Sequence, residues 1–207
     1  MTKRIIHAAL AVLLSASPAL AQTVKPNEAV AAPTPKEDLV RVRIETSAGP
    51  ILVTLDRGRA PLSVANFLAY VDAKKFNGES FYRAMPYGDG GLIQAGIRSD
   101  ARKLGKPVPH ETTSKTGLSN VAGALVMARE APGTARSDFF ILTTDIKAFD
   151  ASATDPGFAV FGRVVEGMDV VKAIFAAPRS ATKGAGVMKG QMLEPAVRIV
   201  RATRLPK

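Results

Sequence analysis

The sequence predicts a mainly β fold, an antiparallel barrel or sandwich, for the chain after residue 38. Short apolar runs separated by Gly, Pro, Asp and Ser are typical of strands joined by tight turns, and they are centred on Phe81, Leu92, Leu125, Phe139 and Phe158. This region begins with a hairpin pattern and ends with a period-two strand pattern. A last strand that closes a barrel removes an exposed sheet edge.

The opening hairpin is predicted from two alternating segments. Residues 40–45 (VRVRIE) and 50–55 (PILVTL) each have period-two apolar positions, and Ser47-Ala48-Gly49 supplies the turn between them. We expect one face of each strand to be buried.

A helix is predicted to follow, from Pro61 to Lys74. Proline is common at the first helical position. Apolar side chains then recur at helical spacing, at Leu62, Ala65, Phe67, Leu68 and Val71. We expect these side chains to face the core, with Asp72 and Lys75 exposed.

Near the carboxyl terminus the sequence predicts a helix, a loop and a strand. The helix covers residues 169–176, and a glycine-rich loop extends over residues 179–190. Residues 196–202 (AVRIVRA) have the period of a strand. This is the strand expected to close the sheet.

The first 21 residues have the parts of a secretory signal peptide. Lys3 and Arg4 precede an apolar run over residues 5–16, and Ala19-Leu20-Ala21 is a small-residue cleavage site. A membrane anchor needs roughly 18 or more apolar residues, and this run is interrupted by Ser15, Ser17 and Pro18. We expect cleavage after Ala21 and a periplasmic protein without stable membrane insertion.

Two further segments complete the predicted organisation. Residues 22–38 are rich in Pro, Ala and polar side chains and lack apolar periodicity, so we expect a disordered linker. Residues 39–207 are expected to form one domain and to act as a monomer. Because the chain has no cysteine, its stability must come from a packed core even in an oxidising compartment.

Composition excludes several classes of function. The formal net charge is +10, but the basic residues are scattered and do not alternate with aromatic ones, so we expect no nucleic-acid partner. His110 is the only histidine after the signal segment, which excludes a zinc site of Cys and His. A serine triad lacks its G-x-S-x-G signature. We read His110 as a loop partner of Glu111.

No metal or cofactor is expected. Three acidic residues are evenly spaced in a way that does not match an EF-hand loop, namely Asp145, Asp150 and Asp155. Gly88 to Gly91 form a glycine-rich stretch without the lysine and helix of a phosphate-binding loop, so it is read as a turn.

Three motifs carry a family resemblance. Residues 81–96 (FYRAMPYGDGGLIQAG), 123–145 (GALVMAREAPGTARSDFFILTTD) and 157–174 (GFAVFGRVVEGMDVVKAI), in this order, resemble the cyclophilin-type peptidyl-prolyl isomerases, especially exported bacterial ones. The resemblance extends from about residue 40 to the last strand. It implies an eight-stranded antiparallel closed β-barrel capped by two α-helices, and an enzyme that interconverts cis and trans X-Pro bonds.

The resemblance also implies roles for individual residues. Arg83 and Gln94 fall on the family's catalytic arginine and glutamine, and Phe140 on the floor of its proline pocket. Further substrate-binding positions are Leu92, Met127, Ala128, Arg129, Asp138, Phe149 and Phe158. Met127 and Ala128 align with the strand that binds the peptide backbone. Gly91 is a departure, because the family commonly has an aromatic pocket wall there.

The chemistry of proline isomerisation explains an arginine in this place. The twisted transition state frees a lone pair on the prolyl nitrogen, and a donor that binds only this lone pair lowers the barrier. Arg83 can donate without losing its charge. The reaction requires no metal, cofactor or nucleophile, and the expected partners are unfolded or proline-containing polypeptides.

Other interpretations of these residues remain open from the sequence. Arg83 can be a strand arginine paired with a carboxylate, Gln94 a satisfied core amide and Phe140 ordinary core. The alternative function is a weakly catalytic or non-catalytic chaperone that holds proline segments in the cell envelope. Arg83 favours the enzyme. Gly91, and Asp138 in place of the glutamine typical of the family, leave the chaperone open.

Overall fold

The structure is a computed structural model that describes residues 38–206, in which eight strands and three helices are formed. The predicted signal peptide, and the predicted linker up to residue 37, lie outside the described residues. The strands are β1 Leu39–Thr46, β2 Gly49–Asp56, β3 Ser80–Tyr87, β4 Gly90–Gly96, β5 Ala124–Met127, β6 Phe139–Leu142, β7 Val160–Glu166 and β8 Met192–Arg204. The helices are α1 Pro61–Asp72, α2 Thr113–Thr116 and α3 Met168–Ala176.

The eight strands close into one antiparallel barrel, which confirms the predicted fold. Around the barrel the order is β1-β2-β7-β5-β6-β4-β3-β8. The last strand completes the ring because it pairs with β1, where Arg43 lies opposite Thr203, and with β3, where Phe81 lies opposite Val197. It is 13 residues long and begins well before the predicted residue 196.

Two hairpins form as the turn signals predict. β1 and β2 pair over their full length, from Leu39 opposite Asp56 to Thr46 opposite Gly49. β3 and β4 are joined by the Gly88-Asp89 turn, in which Gly88 has φ +58°, a left-handed conformation that glycine adopts at low cost. The glycine-rich stretch is therefore the tip of a hairpin. The apolar run around Phe158 is the exception, because β7 begins only at Val160.

Successive residues of the strands face opposite sides of the sheet. The inner core fills the barrel and includes Ile93 of β4, Leu125 of β5 and Phe139 of β6. A second, outer cluster lies on the other face and includes Leu92, Val126 and Phe140 from the same strands. The period of two in these strands therefore separates two apolar clusters.

Helix α1 packs one face into the inner core. The Phe67 ring lies within 5.3 Å, between centroids, of Phe76, Phe139 and Phe161. The predicted stripe is wrong at Leu62 and Ala65, which are exposed, while Ser63, Val64 and Tyr70 are buried. At 100° per residue, Leu62 lies nearly opposite the face that contains Val64, Phe67, Leu68 and Val71.

The start of α1 corrects the reading of the His110-Glu111 pair. The Glu111 carboxylate accepts hydrogen bonds from the backbone N–H groups of Leu62 and Ser63, at 3.0 and 2.8 Å. His110 contacts the Pro156 carbonyl oxygen at 3.1 Å through Nε2. The free N–H groups at a helix start attract a carboxylate, so Glu111 binds the helix and not its neighbour.

The second predicted helix is present as α3, beginning one residue earlier at Met168 and burying Val171 and Ile174. It contacts β2, β3 and β4, whereas α1 contacts β2, β7 and β8. α2 is a four-residue helix that the periodicity did not predict. No helix among residues 38–206 is long and apolar enough to cross a membrane.

Candidate active site

Arg83, Gln94 and Phe140 lie side by side on three neighbouring strands. Arg83 of β3 is in register with Gln94 of β4, and Gln94 is in register with Phe140 of β6. Residues in register on one face of an antiparallel sheet have side chains close enough to interact. The barrel therefore brings Phe140 beside the Arg83 and Gln94 of one hairpin, on its outer face.

A cavity of about 680 Å³ lies over this row of residues. Its apolar part is lined by Met85, Leu92, Ala128, Phe140, Phe149 and Phe158. Its polar part includes Arg83, Gln94 and Asp138. Six of the seven predicted substrate-binding residues thus surround the same cavity as the three predicted catalytic ones.

Three phenylalanine rings form the floor and wall of the apolar part. The Phe140 ring meets Phe149 and Phe158 edge to face, with centroids 6.0 and 5.6 Å apart. Phe149 and Phe158 are 4.8 Å apart. Edge-to-face pairs hold each ring in a defined orientation, so the cavity has a preformed aromatic surface.

Arg129 packs against the Phe158 ring of this wall. Its guanidinium lies 4.7 Å from the centroid of the Phe158 ring, donates to the Gly157 carbonyl oxygen through Nε at 3.2 Å, and is 3.7 Å from Asp155. Most of its side chain is therefore committed to protein partners. Arg129 lines the cavity, as predicted, but its contacts hold the loop that carries Phe158.

Met127 differs from the prediction, because its side chain lies in the inner core and does not line the cavity. It is in register with Phe139, which also faces inward. The N–H groups of Met127 and Ala128 donate to the carbonyl oxygens of Ala159 and Asp138, both at 2.9 Å. Because both backbone N–H groups are occupied, only the carbonyl oxygens of Met127 and Ala128 can bind a peptide, by accepting from its N–H groups.

The expectation that Gly91 leaves the pocket without an aromatic wall is wrong, because this position does not face the cavity. Its φ is +152°, and a Cβ there would meet the Met85 carbonyl oxygen at 1.9 Å and the Phe175 ring at 2.9 Å. A side chain at this position would point at helix α3, away from the cavity. The position requires glycine for steric reasons.

The Arg83 guanidinium is held by two neutral amides. Its Nη1 donates to Gln94 Oε1 at 2.8 Å, and its Nε donates to Gln191 Oε1 at 2.8 Å. Arg83 forms no ion pair with a carboxylate among the described residues, which answers the alternative left open by the sequence. Its positive charge is oriented without being neutralised.

The Gln94 amide is oriented in turn by a tyrosine and a carboxylate. Gln94 Nε2 donates to the Tyr82 hydroxyl at 2.6 Å, and this hydroxyl donates to Asp138 Oδ2 at 2.5 Å. Ser137 Oγ donates to the other Asp138 oxygen at 3.1 Å. Because Gln94 Nε2 faces Tyr82, its Oε1 faces Arg83.

Burial shifts the ionisation of both groups beside Gln94. It lowers the pKa of Arg83 from its usual value, with the neighbouring Tyr82 opposing the shift. A guanidinium nevertheless stays charged at neutral pH. Burial, and then the charge and hydrogen bond of Asp138, raise the pKa of Tyr82 well above its usual value. Tyr82 thus remains a neutral hydroxyl that can accept from Gln94.

Sequence patterns do not reveal two residues that contact Arg83 and Gln94, namely Gln191 and Tyr82. Tyr82 belongs to the apolar run around Phe81, and Gln191 lies 108 positions from Arg83, between the predicted loop over residues 179–190 and the predicted strand over residues 196–202. Strand alternation alone would put Tyr82 and Arg83 on opposite faces of the sheet. The bulge between Phe81 and Arg83 lets both side chains line the same cavity. The described residues contain no group of three potential metal ligands.

The fold and the site define a closed β-barrel with an aromatic pocket beside an oriented arginine. The sequence profile of the family described as cyclophilin type peptidyl-prolyl cis-trans isomerase/CLD matches residues 41–204. The chain therefore belongs to the cyclophilin-type peptidyl-prolyl cis-trans isomerase family.

Individual proteins agree with this assignment. The chain is 38% identical to peptidyl-prolyl cis-trans isomerase A of Dickeya dadantii over 178 residues, covering 84% of this chain and 85% of that protein. It is 38% identical to a peptidyl-prolyl cis-trans isomerase of Acinetobacter baylyi, covering 67% of this chain and 73% of that protein. A Cryptosporidium parvum cyclophilin type isomerase has the same fold, with a TM-score of 0.67 and 20% identity over 82% of this chain and 99% of that one.

Proposed function

We propose that the cavity over Arg83, Gln94 and Phe140 is where this protein isomerises X-Pro bonds of unfolded or newly exported polypeptides, in the periplasm and as a monomer. The observation that carries the proposal is the Arg83 guanidinium, held by two amide oxygens at the edge of an aromatic pocket. The substrates are proline-containing segments, consistent with the family.

The reaction is a rotation in which no bond is broken. The planar X-Pro amide resists twisting with a barrier of about 18–20 kcal/mol, because its C–N bond is partly double. In the twisted state resonance is lost and the prolyl nitrogen becomes pyramidal, with a lone pair that can accept a hydrogen bond. A donor to this lone pair acts on the transition state and not on the planar ground state.

Arg83 is the donor in this proposal. Its Nε and one Nη1 hydrogen are bound by Gln191 and Gln94, so the remaining N–H groups are available to a substrate. The guanidinium is half-buried, and an electrostatic interaction is stronger where water is excluded. The donor is thus in place before the amide twists.

The aromatic surface holds the proline ring while the rest of the amide rotates. Phe140, Phe149 and Phe158 offer an apolar, rigid surface, and burial of an apolar ring is favourable. Leu92 and Met85 complete the side nearest β3 and β4. Carbonyl oxygens of the Met127-Ala128 segment can accept from the N–H groups of the bound peptide.

The test is a protease-coupled isomerisation assay on the purified protein, with binding of the same peptide measured in parallel. We expect the wild type to accelerate cis-to-trans conversion and Arg83→Ala to lose about a hundredfold in kcat/KM, as loss of one transition-state donor does. Arg43→Ala is the matched control, because Arg43 is an exposed strand arginine on β1. Peptide binding without acceleration by the wild type would instead support the chaperone.

The periplasmic location and the absence of a membrane anchor rest on residues 1–21 alone. Fractionation of a Gram-negative host and mass spectrometry of the recovered protein test both. We expect a chain that begins at Gln22 in the periplasmic fraction. Recovery of the intact chain from membranes would contradict the proposal, and light scattering of the purified protein tests the monomer.

A further inference from the structure

Gln191 is attached to the strand that carries Arg83. Its backbone carbonyl oxygen accepts from the N–H of Ala84 at 2.9 Å, and Met192, the next residue, is in register with Arg83. The Gln191 side chain then reaches Arg83 Nε at 2.8 Å. Backbone and side chain thus fix the position of Gln191 relative to the arginine.

The orientation of the Gln191 amide is also fixed. Its Nε2 donates to the Val187 carbonyl oxygen at 2.7 Å. An amide has one accepting and one donating end, so the end that faces Val187 determines which end faces Arg83. With Nε2 on Val187, Oε1 is directed at Arg83 Nε.

Val187 belongs to the 181–190 loop, which leaves the barrel surface between two anchored ends. Arg179 and Leu193 form an isolated bridge, and Ser180 N–H donates to the Met192 carbonyl oxygen at 2.8 Å. Lys183 and Glu194 form an ion pair. The loop itself is exposed, but its base is bound to the segment that contains Gln191.

Two fixed N–H directions determine the plane of a guanidinium. Gln94 holds Nη1, and Gln191 holds Nε. With Gln94 alone, the long arginine side chain keeps several rotamers that satisfy one bond. The second amide removes this freedom and leaves the outer edge of the guanidinium directed into the cavity.

We propose that Gln191 is a positioning residue. Together with the Val187 carbonyl oxygen, it fixes the plane of the Arg83 guanidinium. The rate of isomerisation therefore depends on the position of the 181–190 loop. The effect on isomerisation rests on the proposed function. The hydrogen bond between Arg83 Nε and Gln191 Oε1 is observed independently of that function.

The direct measurement is the Arg83 Nε–H signal in ¹⁵N NMR spectra of the full chain, assigned by its disappearance in Arg83→Lys. In Gln191→Leu we expect this signal to shift and its exchange with water to accelerate. We expect kcat to fall about tenfold, the effect of losing one hydrogen bond to a charged group, with KM changed less than about twofold.

Two variants separate positioning from a general effect on the loop. Gln191→Glu keeps an acceptor for Arg83 Nε–H but has no N–H to donate to the Val187 carbonyl oxygen. The Arg83 Nε–H signal should therefore remain hydrogen-bonded although the bond to the loop is lost. Lys189→Ala changes an exposed loop side chain and should leave both the signal and kcat as in the wild type.

The outcomes distinguish this inference from the proposed function. An unchanged Nε–H signal and unchanged kcat in Gln191→Leu would overturn the positioning role, as would a fall in kcat matched by a lower Tm. A shifted signal in a protein whose wild type does not isomerise would support the positioning and refute the proposed function.

Discussion

Phe139 and Phe140 are consecutive residues of one strand with opposite surroundings. Phe139 faces the inner core, where its ring packs against Phe67, Phe76 and Phe81. Phe140 faces the outer cluster and the cavity beside Arg83. Both are buried, with 1% and 3% of their surface exposed, so burial alone does not tell core from site.

The difference between the two rings lies in what surrounds the buried side chain. Around Phe139 the neighbours are apolar on every strand, as expected for a core that only has to be filled. Around Phe140 an aromatic wall meets a row of polar groups, Arg83, Gln94 and Asp138. The inner face stabilises the barrel, and the strands of the barrel hold the side chains of the outer face in position around the cavity.

The largest expected effect is on stability, from truncating the inner ring. Phe139→Ala leaves a void among rings that cannot collapse, and such changes cost about 3–5 kcal/mol of unfolding free energy. Urea denaturation followed by circular dichroism measures this. A cost below about 1 kcal/mol would mean that the inner core tolerates the void and that the two faces do not differ in this way.

Phe140→Ala should impair function and should cost less stability than Phe139→Ala. The truncated site opens into the existing cavity, so only the transfer free energy of the ring is lost, about 1.5–3 kcal/mol. KM for a proline peptide should rise about tenfold or more, because the ring proposed to receive the proline is gone. The comparison fails if KM is unchanged or if the stability loss equals that of Phe139→Ala.

Residue patterns predicted a barrel or sandwich, the family resemblance narrowed this to the closed barrel, and together they predicted only part of the site. Alternating segments and turn residues predicted the hairpins, and the motifs placed Arg83, Gln94 and Phe140, because these features are local in sequence. Tyr82 and Gln191 act through contacts between distant segments, and no period in the sequence encodes such contacts. The inward direction of Met127 follows from the alternation along β5, in which Leu125 and Met127 face the inner core and Val126 faces the outer cluster.

A smaller loss of stability is expected from a substitution at Gly96, the last residue of β4, which lies against Asp138. A Cβ there would lie 2.0 Å from Asp138 Oδ1 and 2.9 Å from the Asp138 Cα. Gly96→Ala should therefore displace the carboxylate that holds Tyr82, costing about 1–3 kcal/mol of stability and lowering kcat.

Gly88→Ala is the control for Gly96→Ala. It has open space but a left-handed φ of +58°, so it should cost about 1–2 kcal/mol of stability without affecting kcat. Equal kcat values for the two variants would show that the Asp138 position does not influence Arg83.

The smallest expected effect is that of Tyr82→Phe, which removes one hydroxyl and keeps the ring. Gln94 Nε2 loses its acceptor at 2.6 Å and keeps only the longer contact of 3.4 Å to Asp138 Oδ2. The amide is then less firmly oriented, and kcat should fall severalfold while KM for the peptide stays nearly constant. An unchanged kcat would mean that Gln94 is held without Tyr82.

Tyr82→Phe should also differ from the wild type in how its unfolding free energy depends on alkaline pH. Burial, and then Asp138, raise the pKa of Tyr82 in the folded protein above its usual value near 10. The folded state therefore holds this proton more tightly than the unfolded state, so the associated stability is present below about pH 10 and is lost as the pH rises through the folded-state pKa. Wild type should lose more unfolding free energy than Tyr82→Phe between about pH 9 and pH 11, as urea titrations at each pH would measure. Parallel losses in the two proteins would show that the Tyr82 hydroxyl is not bound to Asp138 in a buried site.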